Sequence, residues 1–193
     1  ALNISYSNPS LYAINCTGNI TNNTFDYFSS FNYCNDMLFE NNVFKTLIFS
    51  YASNNIIFKR NLFLGNSYPT WGRMFWLASD TNVTIINNTF SGFDMAAGTE
   101  SVPSRIIGID YSVDIDIRNN IFWNISDTTN AYVIANLDDG NAANINIEYN
   151  NIQGGADKVY GAVSLGTGNI NEDPLFTDSE NGDYTLQLGS PCI

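Results

Sequence analysis

Along most of the chain, short runs of alternating apolar and polar residues end at asparagine and restart with an aliphatic or aromatic side chain. The pattern is seen in Ile20-Thr21-Asn22-Asn23-Thr24-Phe25, Leu38-Phe39-Glu40-Asn41-Asn42-Val43-Phe44 and Ile57-Phe58-Lys59-Arg60-Asn61-Leu62-Phe63. It returns in Val83-Thr84-Ile85-Ile86-Asn87-Asn88-Thr89-Phe90, Ile115-Asp116-Ile117-Arg118-Asn119-Asn120-Ile121-Phe122 and Ile145-Asn146-Ile147-Glu148-Tyr149-Asn150-Asn151-Ile152. With the last Asn of each run as a marker (23, 42, 61, 88, 120 and 151), the spacings are 19, 19, 27, 32 and 31 residues. A self-similar unit of this period is the signature of a solenoid, which presents long repetitive faces rather than one enclosed pocket.

Each unit holds a second strand upstream of its Asn. These strands are predicted at Leu11–Ile14, Phe31–Cys34, Leu47–Tyr51, Met74–Leu77, Ile106–Asp110, Tyr132–Asn136 and Ala162–Leu165. Alternation in Val113-Asp114-Ile115-Asp116-Ile117 is the period of a strand with one buried face, and it turns Asp114 and Asp116 together toward solvent. No window of helical periodicity interrupts the series. Three short strands per unit predict an all-β parallel β-helix of about seven rungs, in one domain spanning residues 1–193. Its rungs occupy 10–176 and a closing strand follows at 177–193. The marker Asn is expected at a left-handed corner, its amide stacked on its neighbours, so that Asn22 and Asn87 also serve the turn. The Phe or Ile one or two residues later points inward. A β-sandwich fits less well, because Asn-Gly hairpin turns are nearly lacking. Longer units place their extra residues in loops at 65–73, 91–104 and 126–130, where Gly, Pro, Ser and Thr gather.

Composition narrows the function classes. The formal net charge of −12 opposes nucleic acid and anionic membrane surfaces, which attract clustered Lys and Arg. It is compatible with neutral glycans or divalent cations. Few Lys and roughly one Asn in every six residues predict a secreted or cell-surface protein. Seven Asn-x-Ser/Thr sequons begin at Asn3, Asn15, Asn19, Asn22, Asn82, Asn87 and Asn124; leaving aside the two in the repeat turn, Asn3, Asn15, Asn19, Asn82 and Asn124 are the glycosylation candidates. No stretch of 18 apolar residues is present, so membrane insertion is not expected. The cysteines are Cys16, Cys34 and Cys192, and there is no His, which opposes a zinc site and imidazole chemistry. Cys16 and Cys34 are close to one repeat apart, and stacked on neighbouring rungs at ~4.8 Å they fall within disulfide range, with Cys192 left over.

These repeats resemble the right-handed parallel β-helix repeat superfamily, to which pectate lyases and many cell-surface proteins belong. The tail adds to the likeness: Asp173-Pro174-Leu175-Phe176, then Gly182-Asp183-Tyr184-Thr185-Leu186, is similar to the closing segment of secreted microbial β-helix domains. In pectate-lyase-like members an Arg or Lys removes a proton beside a uronate carboxylate, and Ca²⁺ held by carboxylates acidifies it. The resemblance therefore implies Arg73 and Arg105 as candidate bases beside Asp110, with Asp110, Asp138 and Asp139 as candidate Ca²⁺ ligands. No catalytic motif of the family is matched residue by residue.

Aromatic residues give the other lead. Trp71, Trp76, Tyr111, Trp123 and Tyr132 lie in or beside the long loops, and rings facing outward on a flat β-face stack well against sugars. Of these, Trp71, Trp76, Tyr111 and Tyr132 are the glycan-binding candidates; alternation turns Trp76 outward if Phe75 and Leu77 point in. The first expectation is an extracellular structural or adhesive module that binds polysaccharide or other surface proteins, or stacks end to end with copies of itself. The second is a lyase or hydrolase acting on an acidic polysaccharide from the face of the first strands.

Overall fold

The computed structural model describes residues 10–65, 73–95, 104–126, 129–138, 144–161, 163 and 165–193, with the backbone alone at Arg73. The chain coils into a parallel β-helix with three sheets running along its axis. The first sheet contains Leu11–Ile14, Ser29–Asn32, Ile48–Tyr51, Arg73–Ala78, Ser104–Asp110, Ala131–Asn136 and Val159–Tyr160, in that order. The second contains Gly18–Thr21, Asn35–Glu40, Asn54–Lys59, Thr81–Ile86, Val113–Arg118 and Ile145–Glu148. Thr24–Phe25, Val43–Phe44, Leu62–Leu64, Thr89–Phe93, Ile121–Ile125 and Asn151–Ile152 make the third. All pairings within these sheets are parallel, as a coil that returns in the same direction on every turn requires. An antiparallel hairpin, Phe176–Asp178 with Asp183–Leu186, follows the coil and contains the tail strand expected from the sequence.

Between the second and third sheets, the asparagines form a continuous ladder. Backbone N–H groups of Asn23, Asn42, Asn61, Asn88, Asn120 and Asn150 each donate to Oδ1 of the next ladder Asn, at 2.8–3.0 Å. Side-chain amides repeat the step, for example Asn88 Nδ2 to Asn120 Oδ1 at 3.0 Å. They also reach a carbonyl of the turn before, as from Asn88 to Phe58 O at 2.9 Å. Apart from Asn23 Oδ1 at the first turn, which is buried without a hydrogen bond, the ladder amides thus find their partners within the column.

Two sequence expectations shift by one residue here. The sixth ladder position is Asn150, not Asn151, and Asn169 adds a seventh. The left-handed residue is the one before the ladder: Asn22, Asn41, Arg60, Asn87, Asn119 and Tyr149 have φ of 53–58°. Backbone curvature is therefore absorbed by an exposed residue, and the next side chain turns inward. Two positions beyond each ladder Asn lies a fully buried ring or aliphatic group: Phe25, Phe44, Phe63, Phe90, Phe122 and Ile152. The five phenylalanines stack in a column with centroids 4.3–5.1 Å apart, set by the strand spacing.

The seventh strand of the first sheet is Val159–Tyr160 rather than 162–165. It follows directly on a short 3-10 turn at Gly155–Lys158.

Candidate functional site

The outer face of the first sheet gathers most of the candidate side chains. In the strand Arg73–Ala78, Phe75 and Leu77 are fully buried, so alternation turns Trp76 outward, where it is half-buried. Parallel register then builds an outward column from Tyr12 through Ser30, Phe49, Trp76, Gly108 and Ala135 to Tyr160. Phe49 and Trp76 touch, with centroids 4.7 Å apart and planes at 49°. Phe49 also meets Tyr51 at 6.2 Å, and Tyr51 meets Tyr33 edge-on at 5.5 Å. Four rings on three successive rungs thereby form one connected apolar surface. Tyr33 and Tyr51 remain 49% and 37% exposed, enough for a ligand to reach them.

A polar group closes one end of this surface. The Trp76 indole N–H donates to Oδ2 of Asp110, on the next rung. Arg105 Nη2 lies 3.8 Å from the same oxygen. Gly108 permits this arrangement, since a Cβ there would lie 2.5 Å from Arg105 Nε. The guanidinium is wholly buried, while Asp110 keeps 16% of its side chain exposed with its Oδ1 covered. Charge and hydrogen bonds together fix the orientation of the Trp76 ring.

The other predicted site residues are distributed as follows. Arg73 and Arg105 are register neighbours, and Tyr132 pairs with Arg105 on the following rung. Arg105 does not suit the role of a base: a base must reach the proton it removes, and this guanidinium has no exposed surface. The first-sheet strands Ser104–Asp110 and Ala131–Asn136 end one residue out of register. Asn136 pairs with Ile109, one residue earlier, and is buried. Asp138 accepts from the Tyr111 backbone N–H, and its own N–H donates to Asn136 Oδ1 at 3.2 Å. No group of three or more His, Cys, Asp or Glu side chains placed to hold a metal forms among the described residues, and Asp139 and Trp71 lie outside them. Tyr111 is exposed at the corner beside Asp110, and Tyr132 stacks on Tyr160 at 4.8 Å. Trp123 lies on the third sheet, away from this face. Asp114 is exposed as expected, whereas Asp116 is half-buried and paired with Arg118 at 2.9 Å.

Among the sequons, Asn15, Asn19, Asn82 and Asn124 are exposed, and Asn3 lies outside the described residues. Asn22 and Asn87 are exposed too, because Asn23 and Asn88 carry the ladder in their place. Cys16 and Cys34 stack on adjacent turns, with Asn35 N bonded to Cys16 O at 2.9 Å, but both are free thiols, so the expected cross-link is not formed.

A second buried column, at the corner between the first and second sheets, was not anticipated. Cys34 N donates to Ser53 Oγ, Ser53 N to Asp80 Oδ1 and Asp80 N to Ser112 Oγ, at 2.8–3.0 Å. Asp80 is fully buried, and desolvation lifts its carboxyl from 3.8 to about 7 against hydrogen bonds from Ser53, Ser50 and Ala78. Its sequence signal is subtle: Cys34, Ser53, Asp80 and Ser112 each stand three residues before the first buried side chain of a second-sheet strand. No protein-family model, curated protein or solved structure matches this chain.

Proposed function

We propose that the protein is an extracellular adhesive module, similar to the cell-surface members of the right-handed β-helix superfamily, that binds neutral polysaccharide on the outer face of its first sheet. The observation that carries this reading is the connected surface of Tyr33, Tyr51, Phe49 and Trp76, with the Trp76 indole held by Asp110. Sugar rings offer C–H faces to aromatic rings and hydroxyls to a neighbouring carboxylate, and this face supplies both. A net charge of −12 repels uronate polymers, which favours neutral chains. Burial of Arg105 weighs against the lyase reading.

The test is affinity electrophoresis of the whole protein through gels containing neutral or acidic polysaccharides, compared with Trp76→Ala and Tyr51→Ala. Neutral polymers are expected to retard the parent protein, and loss of one stacking ring to weaken binding by about tenfold, from about 1–1.5 kcal/mol for an aromatic contact. Equal retardation of parent and variants, or retardation by acidic polymers alone, rules the reading out.

A further inference from the structure

We propose that Cys16 and Cys34 are the two halves of a redox clip, joining the first two turns of the coil through a disulfide when the protein meets a small-molecule disulfide. The free thiols seen here are its reduced state. Placement comes from the corner column, in which Cys34 occupies the position held by Ser53, Asp80 and Ser112 on later turns. On those turns a side-chain atom leans toward the backbone N–H of the turn before. Cys34 leans the same way: its thiol donates to Ala13 O on the turn before, at 3.6 Å. Ile14 pairs with Asn32 and Gly18 with Met37, so Cys16 and Cys34 lie one above the other at the strand spacing, ~4.8 Å, within the Cα separation of ordinary disulfides.

Access sets the order of events. Cys16 is half-buried and Cys34 has no exposed surface, so the outer thiol reacts first. The Cys16 thiolate attacks one sulfur of the small disulfide, breaking its S–S bond and releasing one small thiolate. Cys34 then gives up its proton and attacks the Cys16 sulfur, forming the inter-turn bond and expelling the second small thiol. The protein loses two protons and two electrons, and the small disulfide is reduced to two thiols. Burial pushes the Cys34 thiol above its usual range, so the second step is the slow one near neutral pH and quickens as pH rises. Cys192 lies elsewhere, 3.1 Å from Asn151 Nδ2, and takes no part.

The experiment treats the native, full-length chain with oxidised glutathione at neutral and mildly alkaline pH, followed by intact mass and peptide mapping. Expected are loss of two hydrogens, a peptide pair linking Cys16 to Cys34, one remaining reactive thiol, and a higher denaturant midpoint that falls back on reduction. A glutathione adduct on Cys16 is expected to build up at neutral pH and to clear as pH is raised. Cys34→Ser, which supplies the residue already used at 53 and 112, is expected to hold that adduct unresolved. Cys16→Ser is expected to shield Cys34 from any adduct. Three thiols that stay reactive, an adduct on the parent protein that never resolves, or a link through Cys192 overturns the proposal.

Discussion

Replacing Asp80 with Asn isolates the energetic effect of one carboxyl buried inside the coil. In the folded protein this group titrates at about 7, against 3.8 in the absence of burial, because desolvation outweighs the bonds from Ser53, Ser50 and Ala78. Between those two values the folded state keeps a proton that the unfolded chain has already released. Stability from this group is therefore complete below about pH 4, declines by about 1.4 kcal/mol for each pH unit above that, and levels off above about pH 7. Over about three units the loss is about 4 kcal/mol, a large share of the 5–15 kcal/mol typical of a folded domain. Asn keeps an oxygen for the Ser53 N–H and the Ser50 hydroxyl and carries no charge at any pH. Its NH₂ group faces the Ala78 N–H, which adds an offset that does not depend on pH. Urea unfolding of parent and Asp80→Asn, followed by circular dichroism at several pH values from about 4 to about 8, yields the difference between them, in which the remaining carboxylates cancel. The parent is expected to lose ground steadily against the variant up to about pH 7 and to hold level beyond it. A flat difference, or a parent that gains as pH rises, refutes the assignment and means that Asp80 is ionised within the coil.

Other perturbations address the rest of the framework. Asn61→Ala removes the acceptor of Asn42 N and Asn42 Nδ2 and the donor to Phe39 O and Asn88 Oδ1; at about 1–3 kcal/mol for each orphaned buried group, several kcal/mol of stability should be lost in urea unfolding. Phe63→Ala opens a void between Phe44 and Phe90, whose ring centroids lie 5.1 and 4.3 Å from that of Phe63, and should cost about 3–5 kcal/mol in the same assay. Asn22→Gln, by contrast, changes an exposed residue outside the ladder. Its cost should be that of losing a good left-handed residue, about 1 kcal/mol, with the ladder amides keeping their protection in hydrogen exchange.

The sequence determined the period, the strand alternation and the inward Phe that follows each corner, because all three are local: Phe25, Phe44, Phe63, Phe90 and Phe122 are placed by distance from an Asn. It also determined that Trp76 faces outward, since Phe75 and Leu77 on either side are core residues. What it left open is what depends on neighbours distant in the chain. Asn22-Asn23 and Asn150-Asn151 are symmetric as letters, and only the backbone turn decides which amide enters the ladder. Cys34, Ser53, Asp80 and Ser112 do not repeat one residue type, so their column exists only once turns separated by 19 to 32 residues lie over one another. Nor could the sequence foresee that Arg105 is covered while Asp110 is not, or that Trp76 and Asp110 meet. Those outcomes follow from the lateral register of the first sheet, which the whole coil sets.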